Sequence, residues 1–480
     1  MRGGGVVGRV SGLVVVLVVL LASATGAAPR DRPRSTAEAL TTARPTTGPP
    51  AADPSAADPS ATDPFGVPAD RPLPGHSISN PVLPPALVGG APTRVLQGVH
   101  EHAGYAIEVP PRWNRRLLVW AHGYRGTGKV LEVEPPAFGL RQRLLDGGFA
   151  WASSSYYANG YDVKAGVEST HDLALRFADL VGEPQDVFVA GASMGGHVVV
   201  RSLEQHPGFY RAALPVCGVL GDQELFDYLL DYQLAAQALA GVDAHPLPRD
   251  YLAVAVPKIK QALGLYGTPN DLGAQLAEFV VDRSGGERPG ARAAFEHWKE
   301  YLFSLAGTGP AGTASARGLA ADPNQVATNL DTRYRPNTPV DLDRVVERVP
   351  PANPAARAAP ELTEVARVDG RPSAPVLSLH GLGDLFVPFS MEQVYARDVR
   401  SHGLSHLLAQ RAVRAVEHCE FSPAEVGRAW DDLVRWADTG ARPEADVVDD
   451  PAVVAAPGYG CRFTDPTARE PATRRVFPTC

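Results

Sequence analysis

The sequence has few cysteines, no excess of basic residues and no long apolar run. Only 4 of its 480 residues are cysteines, so the chain is not a small scaffold held together by disulfides. Its 45 Lys and Arg against 53 Asp and Glu give a net charge of −8. Because phosphate contacts require a basic face, this balance argues against a nucleic-acid-binding protein. With 44% apolar residues, the chain can still bury a sizeable core.

The spacings typical of metal and phosphate sites are also missing. No pair of histidines shows the H-E-x-x-H spacing of zinc hydrolases, and the acidic residues at 444–450 lack the spacing of a calcium loop. The glycines and lysine at 123–129 do not have phosphate-loop spacing. The sequence therefore predicts neither a metal ion nor a cofactor.

An export signal is predicted over residues 1–28. Arg2 and Arg9 precede an apolar run at 13–22, and small residues follow as far as Ala28. The run is shorter than the roughly 18 apolar residues that a membrane span needs, and no cysteine follows it, which excludes a lipoprotein anchor. We therefore expect a secreted protein without a stable membrane anchor, with its cysteines in an oxidising compartment.

The next segment, residues 29–89, is predicted to be a disordered spacer rich in proline and alanine. Eleven prolines fall between residues 29 and 74, and a five-residue unit recurs at 51–65. Such a composition has too few apolar residues to offset the entropy lost on ordering. A pro-segment that covers the active site is the alternative interpretation.

Beyond residue 90, short apolar runs alternate with helical patterns. Strands are predicted at 104–110 (as an edge strand), 116–121, 149–153, 186–190, 211–216 and 374–380, and a further apolar segment lies at 412–416. Helices at 169–180 and 195–203 separate some of them, which predicts an α/β fold with a mostly parallel sheet covered on both faces. Residues 222–369 show helical patterns only and are predicted to form an inserted helical cap. The predicted organisation is a core at 90–221 and 370–440, this cap, and a C-terminal tail at 441–480.

A nucleophile elbow is the strongest local signal. The apolar run 187–190 leads into Gly191-Ala192-Ser193-Met194-Gly195, and an apolar helical pattern follows. A G-x-S-x-G motif between a strand and a helix holds the serine on a sharp turn with its hydroxyl exposed. Gly191 and Gly195 are expected because side chains there would collide with the neighbouring strand and helix. Ser193 is therefore the predicted nucleophile.

A serine hydroxyl needs a base that is itself oriented by a carboxylate. Asp384 follows the strand at 374–380 within a His-Gly-x-x-Asp pattern, and His418 follows the apolar segment 412–416. The order Ser193, Asp384, His418 is that of the α/β-hydrolases. Asp222, which follows an earlier strand, is a rival acid, and Glu420 is interpreted as a surface carboxylate or an indirect support of the base.

Residues 96–437 resemble the α/β-hydrolase superfamily, in particular secreted bacterial serine hydrolases with a helical cap. Four motifs carry the resemblance. They are the segment 110–114 before a strand whose end reads Trp-Ala-His-Gly-Tyr at 120–124, the nucleophile elbow, the His-Gly-x-x-Asp pattern at 380–384, and His418-Cys419-x-Phe421. An oxyanion needs two backbone N–H donors, and Met194 after the nucleophile should supply one. The resemblance implies that Tyr124 supplies the other, while the side chain of His122 packs its own loop.

Four cysteines allow three pairings. Cys217 and Cys419 are both expected at the catalytic edge of the sheet, which predicts a disulfide that pins the histidine loop. This resembles the tannase and feruloyl-esterase group, in which a disulfide also supports the histidine, although there the other cysteine adjoins the serine and here Ala192 stands in that place. Cys461 and Cys480 would then close a loop in the tail.

The predicted function is that of a secreted serine hydrolase acting on a small-molecule ester or a peptide. A carboxylic ester is favoured because an alkoxide leaves more readily than an amine. A serine peptidase or amidase has the same motifs and is the alternative. A binding protein on a hydrolase scaffold, without catalysis, is the interpretation from a different class, and the oligomeric state is not predicted.

Overall fold

The structure, a computed structural model, describes residues 66–248, 250–299, 301–305, 325–468 and 472–480. The predicted signal peptide and the predicted spacer as far as residue 65 lie outside the described residues. Within the described ranges, none of the helices combines the length and the hydropathy that a membrane span requires.

Twelve strands are present in the described residues. They are β1 Ser77–Ser79, β2 Leu87–Val88, β3 Ala91–Pro92, β4 Arg94–His100, β5 Ala103–Val109, β6 Arg116–Ala121, β7 Val130–Glu132, β8 Ala150–Ser154, β9 Asp186–Ala192, β10 Ala212–Val216, β11 Val376–Gly381 and β12 Leu408–Val413. Eight of them form one sheet in the order β12-β11-β10-β9-β6-β8-β5-β4, while β1 pairs with β7 and β2 with β3. Pairing is parallel from β8 to β12, and β5 is antiparallel to both of its neighbours.

Helices cover both faces of this sheet. Those of the core and tail are α1 Leu140–Asp146, α2 Val163–Leu180, α3 Met194–Gln205, α10 Ser390–Ser401, α11 Pro423–Thr439 and α12 Pro451–Val454. Side chains of α2, α3 and α10 belong to the apolar cluster of one face, and those of α1 and α11 to the cluster of the other. In β6, Leu117 and Val119 enter the first cluster, whereas Leu118 and Trp120 enter the second. Because successive side chains of a strand alternate between faces, a strand buried on both faces is apolar throughout.

The cap lies between β10 and β11 in the chain. Its helices are α4 Glu224–Ala240, α5 Tyr251–Leu263, α6 Asp271–Arg283, α7 Ala291–Trp298, α8 Leu342–Val345 and α9 Pro354–Ala358. No strand occurs in the described residues between β10 and β11. The cap is therefore an insertion at the carboxyl edge of the sheet, where ligands bind in open α/β folds.

The fold begins earlier than the boundary predicted near residue 90. Strand β1 pairs with β7, and Leu73 is buried. Polar contacts hold this segment, since the side chain of Asn80 donates to the carbonyl of Tyr105 (2.8 Å) and the amide of Leu83 donates to the side chain of Gln97 (3.0 Å). Contacts between polar groups produce no apolar periodicity in the sequence, so the proline-rich composition alone predicts a spacer here.

The sheet corrects one strand prediction and adds a strand that the sequence does not predict. The strand predicted at the edge over 104–110 is β5, which is internal because β4 covers it. The apolar segment at 412–416 overlaps only the end of β12, which begins at Leu408 and includes two buried polar residues, Gln410 and Arg411. Gln410 bonds to Glu392 and Arg411 pairs with Asp432, and such partnered polar residues interrupt the apolar run that marks a strand.

Candidate active site

Ser193 lies on the turn between β9 and α3 in a strained backbone conformation. Its φ of 59° and ψ of −124° belong to a region that residues other than glycine rarely adopt. The amide of Ser193 donates to the carbonyl of Val216 in the neighbouring strand, at 3.1 Å. A Cβ atom at Gly191 would lie 2.6 Å from the carbonyl oxygens of Ala121 and Gly195. The turn is therefore tight enough to require glycine on both sides of the serine.

Replacing Gly195 by Ala should lower the free energy of unfolding by about 1–3 kcal/mol, as overpacking of a dense region does. A Cβ atom there would lie 2.8 Å from the carbonyl carbon of Ala121 and the carbonyl oxygen of His122, so backbone must move. Urea unfolding measures the change. Gly458→Ala is the matched control, because a Cβ at Gly458 meets nothing within 4 Å. Equal stability of the two variants would contradict the crowding argument.

The structure brings the three residues of the predicted triad together. The Nε2 atom of His418 lies 2.8 Å from the Oγ atom of Ser193, and its Nδ1 atom lies 2.6 Å from an Oδ atom of Asp384. Asp384 is fully buried, and its other carboxylate oxygen accepts hydrogen bonds from the amides of Phe386 (2.9 Å) and Val387 (3.0 Å). These two bonds fix the carboxylate plane. The arrangement can orient His418 to take a proton from Ser193.

The rival acid lies elsewhere. The carboxylate of Asp222 accepts hydrogen bonds from the backbone amides of Gln223 and of Val368 (2.7 Å for the latter), and burial raises the pKa of Asp222 to about 7. Glu420 instead shapes the loop of the base, because it accepts hydrogen bonds from the amides of Val416 (3.2 Å) and Glu417 (3.0 Å). Neither carboxylate takes the place of Asp384 beside the base.

The loop after β6 lies directly against the serine. A Cβ atom at Gly123 would lie 3.2 Å from the Cβ atom of Ser193, so the backbone leading to Tyr124 passes beside the nucleophile. Met194 is the first residue of α3, and the first N–H groups of a helix have no partner within it. β6 and β9 are neighbours in the sheet, and the next strand that the chain adds lies on opposite sides of this pair: β8 beside β6 and β10 beside β9. The carboxyl ends of β6 and β9 therefore form the switch point where open α/β sheets bind ligands. These placements are compatible with the predicted oxyanion donors.

His122 packs the loop, as its sequence context predicts. Its ring stacks on Tyr156 with centroids 3.9 Å apart, and its Nδ1 atom lies 2.7 Å from the carbonyl oxygen of Gly123. Burial lowers the pKa of His122 to about 4, so the imidazole is neutral near pH 7 and its Nδ1–H can donate to that carbonyl. The hydroxyl of Tyr156 donates to the carbonyl of His122 at 3.0 Å.

The cysteines are paired as Cys217 with Cys419 and Cys461 with Cys480, with Cα atoms 5.3 and 5.4 Å apart. The first bond ties the loop of the base to the end of β10, and the Sγ atom of Cys419 lies 3.4 Å from Nε2 of His418. In the described part of the chain, the group that could approach a metal ion is Cys217, Cys419 and His418. Both sulfur atoms are in the disulfide, so neither is available as a thiolate ligand.

Several residues near the triad have no sequence signal. Phe386 contacts the ring of His418 edge to face, with centroids 4.9 Å apart. From the cap, His297 lies 2.9 Å from the carboxylate of Glu417, which directly precedes the base. A histidine and an acid 120 positions apart form no local pattern, so only the three-dimensional structure could reveal this contact.

A polar cleft between the cap and α10 does not contain the triad. It has a volume of about 940 Å³, and charged side chains such as Arg283, Arg357, Arg397 and Asp398 line it. Apolar walls are typical of sites that bind acyl groups, so this cleft is a poor candidate for that role.

Comparisons with known proteins return esterases, peptidases and an amidase. No protein-family model matches the chain. Over 93 residues, 19% of its length, the chain is 32% identical to the o-phthalyl amidase of Xanthobacter agilis, and the match spans only a fifth (20%) of that protein.

Three similar solved structures are those of one esterase and two peptidases. Feruloyl esterase B from Aspergillus oryzae is 15% identical, with 71% of this chain and 79% of that one covered and a TM-score of 0.44. Proline iminopeptidase from Mycobacterium smegmatis is 12% identical, covering 72% and 96%, with a TM-score of 0.33. Acylaminoacyl peptidase from Pyrococcus horikoshii is 9% identical, covering 72% and 41%, with a TM-score of 0.35.

The fold class is assigned from the topology of the chain itself. The mostly parallel eight-stranded sheet is flanked by helices, a serine stands on the turn after β9, and an acid and a histidine follow β11 and β12 in that order. The fold class predicted from the sequence is confirmed by this topology: the chain has a mostly parallel sheet flanked by helices, with the strand-turn-helix and loop positions of the α/β-hydrolase fold.

Proposed function

We propose that the protein is a secreted serine hydrolase that cleaves a carboxylic ester through an acyl-enzyme. The observation that carries the proposal is the continuous contact from Ser193 through His418 to Asp384, at 2.8 and 2.6 Å. In an α/β-hydrolase fold this contact joins a nucleophile on a strained turn to a base and a buried acid.

The chemistry follows from these three side chains. The Oγ atom of Ser193 attacks the carbonyl carbon while Nε2 of His418 takes the hydroxyl proton. Asp384 accepts the Nδ1–H of His418 and stabilises the imidazolium. The amides of Met194 and Tyr124 are proposed to bind the oxyanion. The leaving alkoxide takes the proton from Nε2, and water then repeats the sequence on the acyl-enzyme to release the acid and Ser193.

Fluorophosphonate labelling tests the nucleophile. The purified protein should be labelled on the peptide that contains Ser193, and Ser193→Ala should not be labelled, because only an activated serine attacks phosphorus rapidly. Ser169→Ala is the matched control: Ser169 is a buried serine of α2 whose hydroxyl makes no hydrogen bond in the described structure. Absence of labelling in the wild type would reject the enzyme and favour a binding protein on this scaffold.

An amidase is the second candidate, and the 93-residue match to an amidase is the observation that favours it. An ester is still the first choice, because expelling an alkoxide demands less of the same machinery than expelling an amine. Turnover of aryl esters should therefore exceed that of acyl anilides and aminoacyl anilides with the same acyl group. Faster turnover of the anilides would make an amidase or peptidase the better description.

Export is part of the proposal. It is supported by the apolar run at 13–22 behind two arginines, and by two disulfides, which persist in oxidising compartments. Expression of the full chain with separate assay of medium and cells tests it. Activity retained inside the cells, with reduced cysteines, would contradict it.

A further inference from the structure

The acid loop, residues 382–385, is held by the core through its N–H groups. The amide of Leu382 donates to the carbonyl of Val413 at 2.8 Å, and the amide of Gly383 donates to that of Ala415 at 2.8 Å. Both acceptors lie at or just beyond the end of β12. Because buried backbone polar groups are nearly always hydrogen-bonded, the carbonyl groups of the acid loop need donors from elsewhere in the structure.

Those carbonyls accept hydrogen bonds from side chains of the cap. The hydroxyl of Tyr228, on α4, donates to the carbonyl of Leu385 at 3.1 Å. The Nε atom of Arg288, between α6 and α7, donates to the carbonyl of Leu382 at 2.7 Å. The two acceptors lie on either side of Asp384 in the chain, so the cap holds the acid from both directions.

Trp298, the last residue of α7, joins the acid loop to the loop of the base. Its indole Nε1–H lies 3.1 Å from the carbonyl oxygen of Gly383 and 2.9 Å from that of Val416. Val416 precedes His418 by two residues. One N–H shared between these two carbonyls therefore fixes the spacing between the loops that carry the acid and the base.

All three donors are buried, with exposed fractions of 1% for Tyr228 and 5% for both Arg288 and Trp298. Water cannot easily replace them, so loss of a donor leaves a carbonyl without a partner. Arg288 is itself held in place, because its other nitrogens donate to the carbonyl of Gly286 (2.7 Å) and the hydroxyl of Ser284 (2.9 Å).

We propose that Tyr228, Arg288 and Trp298 are positioning residues of the triad, and that the cap is a fixed support of the acid loop. A cap that swung away as a rigid body would break four hydrogen bonds to the two catalytic loops. Substrate must therefore enter by a route that leaves α4 and the end of α7 in place. The inference rests on the proposed function, because the positioned groups are those of the proposed acyl transfer.

Conservative variants of the full-length protein test this. Tyr228→Phe keeps the ring and removes only the donor, whereas Trp298→Phe keeps an aromatic ring but removes the indole N–H together with part of the buried volume. With an aryl ester as substrate, we expect kcat to fall about ten- to a hundredfold in Trp298→Phe and less in Tyr228→Phe, with KM within about twofold, since a misplacement near 1 Å can cost a hundredfold. The rate of fluorophosphonate labelling at Ser193 should fall in parallel.

The matched control is Tyr251→Phe. The hydroxyl of Tyr251 is also buried in the cap, but it bonds to Gln233 (2.8 Å) and Gln237 (3.4 Å), which are cap residues. This variant should lose thermal stability much as Tyr228→Phe does and keep wild-type kcat. A readout independent of turnover is the low-field proton resonance of the Nδ1–H of His418 bonded to Asp384, which should shift or broaden in Tyr228→Phe and Trp298→Phe only.

Two outcomes would overturn the inference: an unchanged kcat and proton resonance in both test variants, or the same loss of kcat in Tyr251→Phe. An unlabelled wild-type protein would instead contradict the proposed function. In that case the proton resonance alone decides whether the cap positions Asp384 against His418.

Discussion

Asp384→Asn is expected to lower kcat by about 10⁴-fold while leaving the fold intact. The structure dictates which way the new amide faces. One carboxylate oxygen of Asp384 accepts hydrogen bonds from the amides of Phe386 and Val387, so the Asn side chain must keep its oxygen there. Its NH₂ group then faces Nδ1 of His418, which can only accept. The imidazole is forced to carry its proton on Nε2 and cannot take the proton of Ser193.

Steady-state kinetics with an aryl ester measures this loss, and circular dichroism and the thermal midpoint verify the fold. Asp222→Asn is the matched control. Each carboxylate oxygen of Asp222 accepts a hydrogen bond from a backbone amide, of Gln223 or of Val368, so an Asn there loses one of the two bonds and some stability without disturbing the contact between Asp384 and His418. We expect a kcat within a fewfold of wild type. A collapse of kcat in Asp222→Asn, with activity kept in Asp384→Asn, would reverse the assignment of the acid.

Removing the disulfide between Cys217 and Cys419 should have the second largest effect. Cys419 adjoins His418 and has a φ of 60°, so the loop of the base turns sharply where the bond holds it. With both cysteines replaced by Ala, we expect the free energy of unfolding to fall by about 2–5 kcal/mol, because the bond closes a long loop. We also expect kcat to fall by about ten- to a hundredfold as His418 loses its alignment.

The second disulfide is the internal comparison. Replacing Cys461 and Cys480 by Ala opens a loop of 19 residues in the tail and should cost about 3 kcal/mol of stability. This bond does not adjoin a residue of the proposed triad, so kcat should change much less. Urea unfolding and steady-state kinetics separate the two effects. Equal losses of kcat in the two double variants would show that the bond between Cys217 and Cys419 does not align His418.

Local sequence patterns predict the three residues of the proposed triad, and the structure brings their side chains into contact. Glycines on both sides of Ser193, between a strand and a helix, predict a strained turn, and the structure has φ at 59° there. Asp384 and His418 each follow a core strand, and parallel strands bring their carboxyl ends to one edge. Each of these motifs spans only a few consecutive residues, so one amino-acid sequence is enough to recognise it.

Other features depend on contacts that no local pattern records. Tyr228, Arg288 and Trp298 donate to carbonyls 85 to 157 positions away, and any residue can present a backbone carbonyl. The start of the fold is not predictable from a local pattern for the same reason, because hydrogen bonds of the side chains of Asn80 and Gln97 hold the first segment.

The pairing of the cysteines also matters for biosynthesis. In a chain exported with its N-terminus first, Cys217 crosses the membrane alone, and the next cysteine to follow is Cys419, 202 positions later. Cys461 and Cys480 then emerge as the second pair. An oxidant that joins each cysteine to the one that emerges next therefore produces the native bonds directly, without a disulfide isomerase. Because the first bond adjoins His418, the proposed hydrolase should reach its full kcat only after this bond has formed, so the reduced chain should be the less active form.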